Sequence, residues 1–138
     1  MTFSKNSPKT SPAKMRAEAL DMFIYNMMLE IGIPANLKGY RYLTDAVRIA
    51  YYDPQTASRI VDGLYEHIAK EHDTTSQCVE RTIRTALARV DKLRDKAVLM
   101  KYFDSEQCPS PKKFINSVAD RLRRMDLTDD DKIQSPHD

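Results

Sequence analysis

Leu64-Tyr65-Glu66-His67-Ile68-Ala69-Lys70-Glu71-His72-Asp73-Thr74-Thr75-Ser76-Gln77-Cys78-Val79-Glu80-Arg81-Thr82-Ile83-Arg84 is the stretch that decides the fold, and it reads as two helices joined by a tight turn. The first helix of such a unit needs a small residue where the second crosses it, and Ala69 supplies one. Four residues on, Asp73 is among the few non-glycine residues that tolerate the left-handed backbone of a sharp turn. Ten residues after Ala69, Val79 presents an apolar side chain back to the first helix, and Ile83 repeats it one turn later. Thr74 followed by Gln77 fits a capping box that starts the second helix inside the turn. The spacing predicts a helix-turn-helix between about Tyr65 and Val90.

If Val79, Ile83, Leu87 and Val90 are buried, Gln77, Glu80, Arg81, Arg84 and Thr85 lie on or beside the outward face. That face is the part of a recognition helix that enters a major groove. Arginine can donate two hydrogen bonds to guanine, and glutamate can accept one from the cytosine amino group. Gln77, Glu80, Arg81 and Arg84 are therefore the expected base readers, with Thr75, Ser76 and Thr85 as phosphate contacts. The competing reading is an exposed amphipathic helix laced with Glu–Arg pairs.

Outward from the turn, the rest of the chain is patterned for helices. Leu20, Phe23, Ile24, Met27 and Ile31 recur at helical spacing, and Gly32 with Pro34 ends that helix. Leu43, Val47, Ala50 and Tyr51 mark a second, stopped before Asp53-Pro54. Ile60, Val61, Leu64, Ile68 and Ala69 mark the next, and Val98–Phe103 a shorter one. Phe114, Ile115, Val118, Ala119 and Leu122 form the last, with Lys112 and Lys113 at its start as further phosphate candidates. The expectation is an all-α fold, a compact bundle of about six helices containing the helix-turn-helix, spanning 15–125. A disordered leader (1–14) and a disordered acidic tail (126–138) flank it. The tyrosines Tyr40, Tyr42, Tyr51 and Tyr52 sit at helical spacing and read as packing rather than base stacking.

Charge is distributed unevenly. The net charge is only +2, yet Thr75–Met125 carries twelve basic against six acidic residues, and Asp126–Asp138 one against five. Clustered positive charge around the second helix is what phosphate contact requires. No apolar run approaches a membrane span, and two scattered cysteines, Cys78 and Cys108, build no disulfide framework. A cytoplasmic, nucleoid-associated protein is expected. His67 and His72 are five apart, off zinc-ligand spacing. Asp126, Thr128 and Asp130 imitate a calcium loop, but Asp131 stands where its glycine belongs. No cofactor, metal or catalytic residue is expected.

Three separated segments also resemble one family. Glu30-Ile31-Gly32-Ile33-Pro34-Ala35-Asn36-Leu37-Lys38-Gly39-Tyr40-Arg41-Tyr42-Leu43 is similar to the opening of the effector domain of the stage-zero sporulation response regulator A family of spore-forming Firmicutes. Ile68-Ala69-Lys70 through Thr74-Thr75 to Val79-Glu80-Arg81-Thr82-Ile83-Arg84 resembles its helix-turn-helix, and Phe114-Ile115-Asn116-Ser117-Val118-Ala119-Asp120-Arg121-Leu122 its last helix. The similarity runs from about Ile24 to Arg124.

The resemblance implies a six-helix DNA-binding domain that activates or represses promoters at sporulation entry, on short sites with a TGTCGAA-like core. It places Glu80, Arg81 and Arg84 in base-reading positions. The family usually has Arg where Cys78 stands, which implies a weakened or lost DNA contact and a related but altered site preference, and an aromatic where His72 stands, which implies different packing between the two motif helices. Its members normally carry a phosphorylatable receiver domain ahead of this one. Only about 20 residues precede the first helix here, so the expectation is DNA binding without phosphorylation control, or competition with a full-length regulator for its sites. The expected partners are double-stranded DNA, RNA polymerase or a sigma factor, and a second copy on adjacent sites, with no membrane. The other reading is a helix-turn-helix interaction module that modulates a full-length regulator without reading DNA. It would dock through the same motif or the Met-rich first helix (Met22, Met27, Met28).

Overall fold

The computed structural model of the chain describes residues 12–55, 60–93 and 95–125, and among these there is no strand. Six α-helices follow in order: α1 (Pro12–Ile31), α2 (Lys38–Tyr52), α3 (Glu66–Glu71), α4 (Ser76–Leu93), α5 (Lys96–Phe103) and α6 (Pro111–Met125). A π-helical segment, Ile60–Tyr65, leads directly into α3. α1 begins at Pro12, so residues 12–14 belong to the helix rather than to the expected leader. Proline suits this first position, where its missing N–H had no intrahelical partner to lose. The rest of the leader, the tail 126–138 with its calcium-like run, and the side chains of Ile60 and Val61 lie outside the described residues.

The helix ends follow from local backbone chemistry. α1 stops at Gly32, whose φ of +104° is costly for other residues. Ile33 N–H then donates to Met28 O at 2.9 Å, and the buried Ile33 side chain seals the end. α2 stops at Asp53, held extended by Pro54. Asp95 caps α5 by accepting from Ala97 N–H at 2.9 Å, and Asp104, at φ +56°, terminates it.

α2 is the hub. It packs most extensively against α4 and α6 and also touches α1 and α3. Leu43, Ala46 and Val47 from α2 meet Val79, Ile83 and Val90 from α4 and Phe114, Ile115, Val118 and Leu122 from α6 in one buried core. Tyr42 is buried, Tyr40 and Tyr51 are half-buried, and Tyr52 is exposed, so three of the four tyrosines pack. Met27 and Met28 are fully buried in α1, which removes them from any docking face. Met15, Met22, Tyr25 and Leu29 form that helix's exposed apolar strip instead.

Candidate nucleic-acid interface

α3, the turn and α4 form the expected helix-turn-helix. Asp73 carries a φ of +56°, Thr74 N–H donates to Ala69 O at 2.9 Å, and Asp73 N–H donates to Lys70 O at 3.4 Å. These two backward bonds close the end of α3 with Asp73 in the left-handed position. Ala69 is 3% exposed, while Val79 and Ile83 are fully buried. The small residue, the turn and the apolar anchor thus fall where their spacing put them.

The helix start differs from its sequence reading. Thr75, not Thr74, caps α4: its Oγ1 accepts from Cys78 N–H at 3.1 Å, and its carbonyl accepts from Val79 N–H at 3.0 Å. Counted from Thr75, the third helical residue is Cys78 rather than Gln77, so no Thr–Gln capping box forms. The cause is the closure of α3, which commits the Thr74 amide to Ala69 and defers the new helix by one residue. Thr75 Oγ1 accepts from the backbone and keeps its own O–H to donate outward.

α4 has one buried face and two unlike flanks. Gln77, Arg81, Arg84 and Thr85 are exposed, and Ser76 and Glu80 are partly so. Toward α3, Glu80 and Arg84 form an ion pair one turn apart. With these side chains 41% and 64% exposed, such a pair contributes only about 0.3–0.5 kcal/mol. Arg84 is therefore cheaply released to a stronger acceptor. Behind this pair lies Tyr65, from the segment that packs against α4. Burial pushes its phenol up to about 12, with the Glu80 charge adding and the Arg84 charge opposing.

On the other flank, Leu37 and Gly39 from the start of α2 and Arg81, Thr82, Thr85, Ala86 and Arg89 from α4 enclose a shallow groove of about 200 Å³. Its floor is made of small residues because the helices nearly touch there. Cys78 sits on this flank, half-buried. A hydrogen bond from Thr74, then one from Thr82, hold its thiol below the usual range, and the charges of Arg81 and Lys38 act in the same direction. Lys38 and Arg89, both exposed, were not singled out from the sequence. Arg89 lies one turn beyond Thr85, on the same side of the helix, and was legible from that spacing. Lys38 is placed by the packing of α2 on α4, which no local pattern reports.

Lys112 and Lys113 stand on a different element, the exposed first turn of α6, where Ser110 is the cap: its carbonyl accepts from Phe114 N–H at 2.8 Å. His67 pairs with Glu71 at 3.5 Å and His72 with Asp45 at 2.7 Å. Among the described residues no three His, Cys, Asp or Glu side chains are grouped as a metal centre needs, and no helix is long and apolar enough to cross a membrane.

The site is thus a closed helix-turn-helix in an all-α fold, with arginines exposed on its second helix. The family model described as "Sporulation initiation factor Spo0A C terminal" matches residues 24–122, from the middle of α1 to the last turns of α6. The chain therefore belongs to that family, the helical DNA-binding effector domains of sporulation regulators.

Proposed function

We propose that this chain reads duplex DNA by seating α4 in the major groove of a TGTCGAA-like site and so regulates sporulation genes. Gln77, Glu80, Arg81 and Arg84 are the base readers in this reading. Thr75, Ser76, Thr85, Lys112 and Lys113 contact phosphates, and we add Lys38 and Arg89 to that set. The observation that carries the reading is the exposure of Arg81 and Arg84 on a helix whose opposite face is wholly committed to the core. Two arginines on one face give bidentate donors to guanine. A second copy on an adjacent site, and RNA polymerase or a sigma factor, are the protein partners this role calls for.

The interaction-module reading has one observation of its own, the exposed strip Met15, Met22, Tyr25 and Leu29 on α1. Binding to a TGTCGAA duplex and to its scrambled counterpart, titrated over a range of salt, separates the two. DNA reading requires a preference for the first duplex that Arg81→Ala or Arg84→Ala reduces by ~1–3 kcal/mol. Equal, weak binding to both duplexes favours the interaction module.

A further inference from the structure

The Tyr65 hydroxyl has no hydrogen-bond partner, although the residue is only 2% exposed. Burying a phenol O–H without a partner is unfavourable, and native structures rarely tolerate it without a reason. The other two unpartnered buried atoms among the described residues, Thr44 Oγ1 and Arg121 Nε, belong to residues with access to solvent. Tyr65 also closes the π-helical segment Ile60–Tyr65. Such segments are rare and recur at functional sites, where the extra residue per turn re-aims the side chains that follow.

The charged groups acting on this phenol are Glu80 and Arg84, the two members of the ion pair on α4. Its proton stays on the oxygen well above neutral pH, so it is a standing donor with nothing to donate to. In the free protein Arg84 satisfies Glu80. On DNA, guanine competes for Arg84, and the Glu80 carboxylate is left without its counter-charge close to a polyanion. A neutral donor from the protein side would offset that loss without drawing Arg84 back.

We propose that Tyr65 is a positioning residue for Glu80: once Arg84 turns to a base, the Tyr65 hydroxyl donates to Glu80 and holds its carboxylate toward a cytosine amino group. This inference rests on the DNA-reading assignment and adds to it a residue that touches no DNA. Glu80 is partly exposed, and the segment that carries Tyr65 packs against its helix.

The test is Tyr65→Phe, Glu80→Ala and the double variant, each assayed on the TGTCGAA duplex, on single base-pair replacements of it and on the scrambled duplex. Thermal unfolding is followed alongside. Tyr65→Phe is expected to unfold at or above the temperature of the unaltered chain, because it deletes an unpaired polar group. Its preference for the TGTCGAA duplex is expected to fall by about fivefold, the worth of one ordinary hydrogen bond. The loss should concentrate at a C·G pair and vanish in the Glu80→Ala background. An unaltered chain that discriminates, with Tyr65→Phe discriminating equally well, overturns the role of Tyr65 alone. So does an undiminished Tyr65→Phe loss in the Glu80→Ala background. An unaltered chain with no preference overturns the DNA-reading assignment itself, and this inference with it.

Discussion

His72 Nε2 lies 2.7 Å from Asp45 Oδ2, and the His72 ring meets Tyr42 edge-on with centroids 5.1 Å apart. The last residue before the left-handed turn is thereby fastened to α2, the hub of the fold, by one polar and one aromatic contact. Where the family resemblance leads one to expect an aromatic, His72 supplies a ring that makes both an edge contact and a hydrogen bond. His72→Phe should therefore lose only the bond, about 0.5–1.5 kcal/mol. His72→Ala should lose both contacts, about 1–3 kcal/mol in all. Urea unfolding with an unchanged slope is the measurement. Equal losses in the two variants would show that the ring contact contributes nothing.

The contact of α1 with α5 should set a pH window. Glu30 accepts from the Tyr102 hydroxyl at 2.6 Å and from Lys101 Nζ at 3.0 Å. The Tyr102 bond first, and the Lys101 bond next, hold the Glu30 carboxyl below its ordinary 4.5. Burial first, then the Glu30 bond and charge, push the Tyr102 phenol from 10.0 up to about 12. A lowered carboxylate adds stability above 4.5 that is lost as the pH falls through its folded value. A raised phenol adds stability that is complete below 10.0 and lost as the pH rises through about 12. Glu30→Gln should flatten the acid limb and shrink the alkaline one, modestly and less so in high salt, because the carboxylate is exposed. Urea midpoints across that range check it; an acid limb as steep as before would assign the dependence to other carboxylates.

Gly39 marks a close approach of α2 to α4. A Cβ there would stand 2.7 Å from Ala86 Cβ and 3.1 Å from Thr82 O. Neither neighbour is the end of a flexible side chain, so one helix must move. Gly39→Ala should destabilise the fold by about 1–3 kcal/mol, overriding the roughly 1 kcal/mol by which alanine is the better helix former. The same shift would deform the groove that runs between Leu37 and Arg89. Chemical unfolding decides the matter, and a stabilised variant would mean that the two helices are free to separate.

The motif was legible because each part is local. Ala69, Asp73 and Val79 lie within eleven residues, and the steric demands of a helix crossing and a left-handed turn act over that distance. The start of α4 was misplaced by one residue because Thr74 and Thr75 are chemically alike. Only the closing bonds of α3, which take up the Thr74 amide, tell them apart. The two flanks of α4 were not legible. Tyr65 comes under the charge of Glu80 through an irregular helical segment, and the Lys38 charge acts on Cys78 across the α2–α4 contact. Neither placement leaves a periodic trace. Met22, Met27 and Met28 looked alike as a methionine cluster, yet two point into the core and one does not. Their spacing around Leu20, Ile24 and Ile31 held that information.

Lys38 and Arg89 give the last prediction, which separates backbone contact from base readout. Arg89 lines the groove beside α4, and the Lys38 charge acts on the same flank. A sugar-phosphate strand alongside a seated α4 would meet small side chains at Gly39, Thr82 and Ala86 and cations at the rim. Phosphate contacts carry no sequence information, so Lys38→Ala and Arg89→Ala should weaken TGTCGAA and scrambled duplexes by a similar factor. Each should also lower the slope of log affinity against log salt by about 0.9, the counterion release of one contact. Arg84→Ala should instead erode the preference more than the slope. Filter binding or anisotropy at several salt concentrations reads both quantities together. A Lys38 or Arg89 variant with unchanged slope and affinity on both duplexes would exclude a backbone strand from this groove.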